Sequence, residues 1–165
     1  MTTDPTTQPQ PARATDASVP PRWVVRTAWV AHRALVSLTR GRLGYRPATA
    51  EQWGMLRLHT IGRRSGAERL AILGYIEDGP NLVTLAMNGW GDGEPAWWLN
   101  LQAQPDAVVE LGDGPRLVRA RAATAEERPR LWARWDTDGN LDGYAARRSG
   151  ETAIVILEPR TASGA

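Results

Sequence analysis

One short segment combines glycine, serine and arginine in a spacing suited to binding an anion. Residues 58–69 read Leu-His-Thr-Ile-Gly-Arg-Arg-Ser-Gly-Ala-Glu-Arg. The glycines permit backbone angles that let amide groups converge, the serine adds a hydroxyl donor, and guanidinium groups match phosphate or carboxylate oxygens. A solvated β-turn with ordinary surface arginines is the alternative interpretation. The candidate anion ligands are Gly62, Arg63, Arg64, Ser65, Gly66 and Arg69.

A second segment suits the close approach of a flat ring to the backbone. The candidate residues Leu85, Ala86, Met87 and Asn88 end a predicted strand, and a glycine-rich stretch follows at 89–93. Small residues at such a point leave the backbone accessible to a planar ligand. A plain connecting loop explains the same composition.

A third segment, residues 95–105, is predicted to be helical and contains Trp97, Trp98 and Asn100. We expect one tryptophan to lie in the core and the other to cover a cleft. Asparagine gains nothing from helix propensity in mid-helix, so Asn100 is either a surface amide or makes a specific hydrogen bond.

The composition excludes several chemistries. The chain of 165 residues has no cysteine, no lysine and no phenylalanine, so all 20 basic residues are arginines. Disulfides, a thiolate nucleophile, iron–sulfur clusters and the usual structural zinc sites are therefore excluded, as is a Walker phosphate loop, which needs lysine. His32 and His59 are isolated and make a poor metal site. Aromatic residues do not interleave with the basic residues of 62–69, which disfavours nucleic-acid binding.

The N-terminal region is predicted to contain a tail and a helix. Residues 1–21 lack periodic apolar positions and are expected to be disordered. Residues 22–42 have a helical pattern in which four arginines, at 22, 26, 33 and 40, fall within a stripe roughly 40° wide. The helix could pack on the domain, lie on an anionic membrane or bind a partner. With no signal sequence or long apolar stretch, we expect a cytoplasmic protein, with the inner face of the membrane as the alternative site.

The remainder, residues 46–160, is predicted to form one domain of short β-strands and flanking helices. Strands are expected at 55–60, 70–77, 81–87, 107–111, 116–122 and 153–157, with hairpin turns at 78–80 and 112–115. Helices are expected at 94–104, at 124–135 behind a capping box, and briefly around Tyr144. This order is typical of a compact antiparallel sheet or barrel.

Several motifs, taken in order, resemble the deazaflavin (coenzyme F420)-dependent nitroreductase and quinone reductase family. They are T-x-G-R-R-S-G-x-x-R at 60–69, A-x-N-G at 86–89, P-x-W-W-x-N-L-x-A-x-P at 95–105, and A-x-E-R at 125–128 followed by Leu131 and Trp132. The resemblance implies an α+β, mainly β fold: a split β-barrel, like that of FMN-binding proteins, with about six antiparallel strands, flanking helices and an N-terminal helix.

The resemblance also implies hydride transfer from reduced F420 to a quinone, nitroaromatic or similar conjugated acceptor. The arginine-rich segment would bind the phosphate and oligoglutamate tail of the cofactor. Residues 85–88 would lie against the deazaflavin ring, and Trp97 and Asn100 would shape the pocket. No side chain need act as a nucleophile, since the hydride leaves the cofactor. An FMN-dependent oxidoreductase on the same fold and a non-catalytic F420 carrier are the alternatives.

Three residues depart from the pattern of that family. Relatives that reduce quinones and nitro compounds have several tyrosines before the last strand, whereas this chain has Tyr144, which we take as the candidate catalytic residue. Glu68 replaces a frequent proline and places an acidic group beside the predicted tail site. His59 replaces a threonine-rich context, and is either a proton donor near the acceptor or a structural histidine.

Overall fold

The computed structural model describes residues 45–50, 52–89 and 91–160. The predicted disordered tail at 1–21 and the predicted amphipathic helix at 22–42 lie outside the described residues. Both remain predictions, as does contact of that helix with an anionic membrane. Among the helices in the described ranges, none is both long enough and apolar enough to span a bilayer.

Six antiparallel strands form a closed barrel in the order β1-β2-β3-β6-β5-β4. The strands are β1 (Gly54–Ile61), β2 (Glu68–Asp78), β3 (Asn81–Leu85), β4 (Asp106–Leu111), β5 (Gly114–Ala122) and β6 (Ile154–Pro159). Closure leaves no unpaired strand edge, because β1 pairs with β4 as well as with β2. The predicted mainly β, six-stranded antiparallel barrel is confirmed.

The barrel interior is filled by side chains from alternate strand positions. In β1, Leu56, Leu58 and Thr60 are buried, whereas Arg57 and His59 point to the outer face. Leucine, valine and alanine side chains from the other strands complete this core. Each fully buried leucine or valine stabilises the fold by about 1.5–3 kcal/mol, so this interior is the main source of rigidity for groups on its rim.

A second apolar layer covers the outer face of β2, β3 and β6. It packs Ile76, Val83 and Ile156 against Leu131 and Trp135. Leu131 and Trp135 belong to α2 (Arg128–Trp135), and a third, short helix, α3 (Leu141–Ala145), adds Leu141 to the same layer. The helices therefore cover one side of the barrel.

Gly74 allows two tryptophans to stack against the outer face of β2. The rings of Trp53 and Trp135 have centroids 6.5 Å apart and an interplanar angle of 27°. A Cβ on Gly74 would lie 3.0 Å from Trp53 and 3.4 Å from Trp135. A side chain at this position would push the tryptophans away from the sheet.

The helices begin later than the sequence predicts. Helix α1 (Ala96–Ala103) starts after Pro95, whose ψ of 143° is extended rather than helical. Thr124 and Glu127 do form the predicted capping-box hydrogen bonds, at 2.8 and 3.3 Å. That box closes only a turn, however, and α2 starts at Arg128, with Pro129 accommodated in its first turn because proline has no N–H to bond.

Candidate functional site

The connection between β1 and β2 is a tight turn at one end of the barrel, and we call residues 62–69 the arginine turn. The Gly62 N–H donates to the Ala67 carbonyl at 2.8 Å, and the Gly66 N–H donates to the Gly62 carbonyl at 2.8 Å. Gly66 has a φ of +65°, a conformation that favours glycine. A Cβ on Gly62 would lie only 2.8 Å from the Ser65 hydroxyl oxygen, so glycine is needed there as well.

The arginine side chains of the turn are exposed and have no carboxylate partner among the described residues. Arg69 donates to the Ser65 hydroxyl at 3.3 Å, and Arg63 lies 3.5 Å from the Asn100 amide oxygen. Other arginines of the barrel and helices pair with acidic side chains: Arg57, Arg116, Arg119, Arg121, Arg128, Arg130, Arg134 and Arg160. The arginine turn therefore concentrates positive charge that no acidic side chain in the described part of the chain neutralises.

Asn100 connects the arginine turn to the barrel and to α1. Its side chain is buried, its Nδ2 donates to Thr60 Oγ1 at 3.2 Å, and its Oδ1 accepts from the Arg63 backbone N–H at 3.1 Å. Thr60 is also buried. Of the two interpretations of Asn100, the structure supports the specific hydrogen bond, because both polar ends of the amide are satisfied by the turn and the strand before it.

Glu68 faces away from the predicted tail site. Alternation along β2 places Glu68 on the outer face, whereas Arg69 pairs across the sheet with the inward-facing Thr60. The Glu68 carboxylate contacts His59 Nδ1, and His59 Nε2 lies 3.3 Å from a second carboxylate, that of Glu110. His59 therefore partners an acidic group that would otherwise stand next to the arginines.

Glu110 completes a charged cluster on the same outer face. The hydroxyl of Tyr45 donates to Glu110 at 2.8 Å, and Arg57 lies 3.3 Å from the same oxygen. The Tyr45 hydrogen bond, with smaller contributions from Arg57 and His59, lowers the pKa of Glu110 below its ordinary value. Glu110 is therefore ionised at neutral pH and can hold His59 in place.

Only part of the predicted ring-facing segment has accessible side chains. Strand β3 ends at Leu85, which is buried beneath the helices, and Ala86 is buried in the barrel core. Met87 is half-buried, its N–H bonded to the Leu85 carbonyl at 2.9 Å, and Asn88 is exposed. A ring at this segment would meet backbone and Asn88 rather than the side chains of Leu85 and Ala86.

The prediction that one of the two tryptophans covers a cleft is wrong. Trp97 and Trp98 are 8% and 6% exposed, and both belong to the barrel core. Their ring centroids are 6.4 Å apart. The reason is that α1 closes the end of the barrel and buries adjacent positions together with Asn100 and Leu101. Trp97 can shape a pocket only from beneath its surface.

Tyr144 lies in α3 and is half-buried, with the guanidinium of Arg147 5.8 Å from its ring centroid. The segment that follows α3 reaches the loop after β3, since the Ser149 N–H donates to Asp92 Oδ1 at 2.8 Å. The chain before β6 and the predicted ring-facing segment are thus neighbours. A catalytic role for Tyr144 remains a prediction.

Sequence reasoning missed Arg148, whose side chain is 8% exposed. Its guanidinium donates to the carbonyls of Ala86 and Gly93 and to the Thr152 hydroxyl, at 2.9, 3.0 and 2.7 Å. A signal was available, because residues 147–150 repeat the Arg-Arg-Ser-Gly of residues 63–66. The two copies have opposite environments: the first is exposed, and the second contributes a buried arginine.

Two open cavities, of about 360 and 370 Å³, lie beside α2 rather than at the arginine turn. Both are lined by Arg128 and Glu151, which form an ion pair at 2.7 Å. The first is also lined by Ala153, whose carbonyl accepts the Ala86 N–H at 2.8 Å. This cavity therefore borders the segment after β3.

A closed six-stranded barrel with an unneutralised arginine turn at its end defines a split β-barrel protein that binds an anionic cofactor. Comparison with known proteins identifies the family. Residues 29–159 match the family described as F420H(2)-dependent quinone reductase. The chain therefore belongs to the F420H(2)-dependent quinone reductase family, and it is an oxidoreductase whose cofactor is coenzyme F420.

Individual relatives agree with this assignment. A putative F420H(2)-dependent quinone reductase of Mycobacterium tuberculosis is 36% identical over 107 residues, covering 64% of this chain and 89% of the relative. Another F420H(2)-dependent quinone reductase of that species is 30% identical over 149 residues, covering 84% and 97%. These matches confirm the family resemblance inferred from the motifs.

Solved structures support the fold. An F420-H2 dependent reductase, FDR-A, superposes with a TM-score of 0.56 at 24% identity, covering 63% of this chain and 93% of that one. A structure described as a domain-swapped dimer gives a TM-score of 0.60, also at 24% identity, with coverage of 81% and 99%. At this identity the likeness concerns the barrel alone.

Proposed function

We propose that this protein transfers hydride from reduced F420 to a quinone, and that nitroaromatic or similarly conjugated compounds are further acceptors. The observation that carries the proposal is the arginine turn, fixed by the buried Asn100 and free of carboxylate partners among the described residues. A cofactor that ends in a phosphate and several carboxylates needs such a group of cations. A single short phosphate would need fewer arginines.

The arginine turn would hold the cofactor tail. Arg63, Arg64 and Arg69 offer guanidinium forks, Ser65 offers a hydroxyl, and the glycines leave space for an anion against the backbone. The donor set fits a polyanion, since it contains several cations and its one adjacent acidic residue, Glu68, is bound to His59. Holding the tail here would fix the position of the ring, which lowers the entropic cost of reaction.

The backbone of residues 86–88 and the side chain of Asn88 would form the surface under the ring. Tyr144, on the helix before the neighbouring segment, is the candidate proton donor to the reduced acceptor. Bound F420 supplies the hydride. The protein would contribute position, exclusion of water and a proton at the Tyr144 hydroxyl.

Anaerobic mixing of reduced F420 with menadione tests the proposal. We expect the absorbance of oxidised F420 to appear only when protein is present, and expect a nitroaromatic compound to support slower oxidation. Tyr144→Phe should lower the rate at saturating acceptor without weakening F420 binding. Binding without oxidation of the cofactor by either acceptor would contradict the proposal and indicate a carrier.

A further inference from the structure

Arg148 is a buried cation that has no carboxylate partner in the described part of the chain. Its three hydrogen-bond acceptors are the carbonyls of Ala86 and Gly93 and the hydroxyl of Thr152. Ala86 and Gly93 stand at the two ends of the loop that follows β3, which we call the 86–93 loop. One side chain thus bridges both ends of this loop to the segment before β6.

The 86–93 loop has little internal structure of its own. Gly89 and Gly93 have positive φ values, of 57° and 86°. Its described internal contacts are local, such as the Gly91 N–H that donates to the Asn88 carbonyl at 3.0 Å. Besides the Arg148 bonds, it is attached through the Ala86 N–H to Ala153 and through Asp92 to the Ser149 N–H. Residues 148–153 are therefore the support of the loop.

The choice of arginine matters for this arrangement. A guanidinium is planar and carries five N–H donors, so it can reach three separate acceptors at once. Lysine would present one compact ammonium group with less reach. Burying a charge that is balanced only by neutral acceptors is costly, and the Arg148 Nε is buried without a partner. A neutral side chain would fill the same space at lower cost but would release the loop.

We propose that Arg148 is a positioning residue for hydride transfer, which fixes the 86–93 loop against the segment that follows Tyr144. The loop is the surface proposed to face the cofactor ring, and the segment leads from the proposed acceptor side, so Arg148 sets the separation between donor and acceptor. This inference rests on the proposed function. It assigns to Arg148 a role that differs from that of Arg63 and Arg64, which act on the tail.

Hydrogen exchange in the protein without cofactor tests the structural part. We compare wild type with Arg148→Lys and Arg148→Gln, and use Arg119→Gln as the matched control, because Arg119 is an exposed arginine on β5. In both Arg148 variants we expect amides of the 86–93 loop to exchange about tenfold faster or more, while amides of β5 keep the wild-type rate. Thr152→Val, which removes one of three acceptors, should give a smaller increase.

Single-turnover kinetics tests the positioning role. With F420 bound at saturation, Arg148→Gln should oxidise the reduced cofactor with menadione about tenfold more slowly or worse, since misplacement of reacting groups is costly. The equilibrium Kd for F420 should change by less than about threefold, because the tail contacts stay intact. Guanidinium ion added to Arg148→Ala should restore part of the rate, and it should have no effect on the control.

The outcomes separate the possibilities. Wild-type exchange in the loop, or a wild-type rate in Arg148→Gln, overturns the proposal. Faster exchange throughout the barrel, with a lower melting temperature and a proportional loss of F420 binding, also overturns it by showing a general structural role. If wild-type protein binds reduced F420 without oxidising it, the proposed function fails, and the exchange data still decide whether Arg148 fixes the loop.

Discussion

The arginines on two sides of the barrel have the same side chain and opposite surroundings. Beside α2, Arg130 and Arg134 both bind the Asp78 carboxylate, at 2.6 and 2.9 Å. In the arginine turn, Arg63 and Arg64 are exposed, and neither pairs with a carboxylate among residues 45–50, 52–89 and 91–160. One set attaches a helix to a strand turn, and the other is available to a ligand.

The difference shows how the local sequence assigns a role to a charge. Near α2, acidic residues stand within reach of each arginine, and the hydrogen bonds lower the pKa of Asp78 and bring that of Glu127 to about 2. In the arginine turn, strand alternation turns the one nearby acid, Glu68, to the opposite face, where it contacts His59. Charge complementarity is complete on one side and open on the other.

The largest effect is expected from removing an arginine of the turn. Arg63→Ala or Arg64→Ala should each weaken F420 binding by about 1.5–3 kcal/mol, which is the usual worth of a hydrogen bond to a charged group. Fluorescence titration with F420 measures the change. Arg119→Ala removes an arginine that pairs with Asp106 on the outer face and should leave the Kd unchanged. Unchanged affinity in both turn variants would refute the assignment of the tail site.

Asn100 tests whether the turn must be anchored. Asn100→Ala leaves the buried Thr60 hydroxyl and the Arg63 N–H without their partner, so the free energy of unfolding should fall by about 1–3 kcal/mol. Urea denaturation measures this loss, and F420 titration should show weaker binding as well. Gln102→Ala, an exposed amide in the same helix, should change stability by less than about 0.5 kcal/mol. Equal effects of the two variants would contradict the anchoring role.

Gly62 tests whether the shape of the turn matters. In Gly62→Ala the added Cβ would lie 2.8 Å from Ser65 Oγ and 3.1 Å from the Ala67 carbonyl oxygen, so the turn must shift, at a cost of about 1–2 kcal/mol in stability. The matched control is Gly143→Ala in α3, where no atom lies within 4 Å. That substitution should stabilise the protein slightly through helix propensity. Thermal unfolding of both variants checks the prediction, and a stable Gly62→Ala would contradict it.

The smallest effect concerns the neutralised side. Asp78→Asn should lower stability by about 0.5–1 kcal/mol at neutral pH, because the two arginines are half-exposed and screened by water. The Arg130 hydrogen bond depresses the Asp78 pKa below its ordinary value of 3.8. The stabilisation is therefore complete above that value and is lost as the pH falls through the folded-state pKa. F420 affinity should not change, and a change would break the division between the two sides.

The strands were predictable because their turns carry strong local signals. Gly79 and Gly114 have positive φ values at the hairpin turns, where the sequence places glycine beside aspartate and proline. Burial that alternates along β1 matches the alternating pattern at 55–60. The arginine turn was equally visible, since its glycines and arginines are contiguous. Local sequence determines these features, so they could be read without a structure.

Features that depend on distant contacts could not be predicted. Nothing in the local sequence of Arg148 indicates burial, which follows from carbonyls more than 50 residues away in the 86–93 loop. The burial of both Trp97 and Trp98 results from the barrel end that α1 covers. The late start of α2 reflects competition between a capping box and Pro129 in the first helical turn. In each case tertiary packing decides the outcome.

Equilibrium binding of F420 against FMN to the wild-type protein tests the central claim most directly. If the arginine turn binds a long polyanionic tail, F420 should bind at least about tenfold more tightly than FMN, and added salt should reduce that preference. The preference should disappear when Arg63 and Arg64 are both replaced by alanine. Equal affinity for the two cofactors, or a preference for F420 that survives both substitutions, would contradict the account.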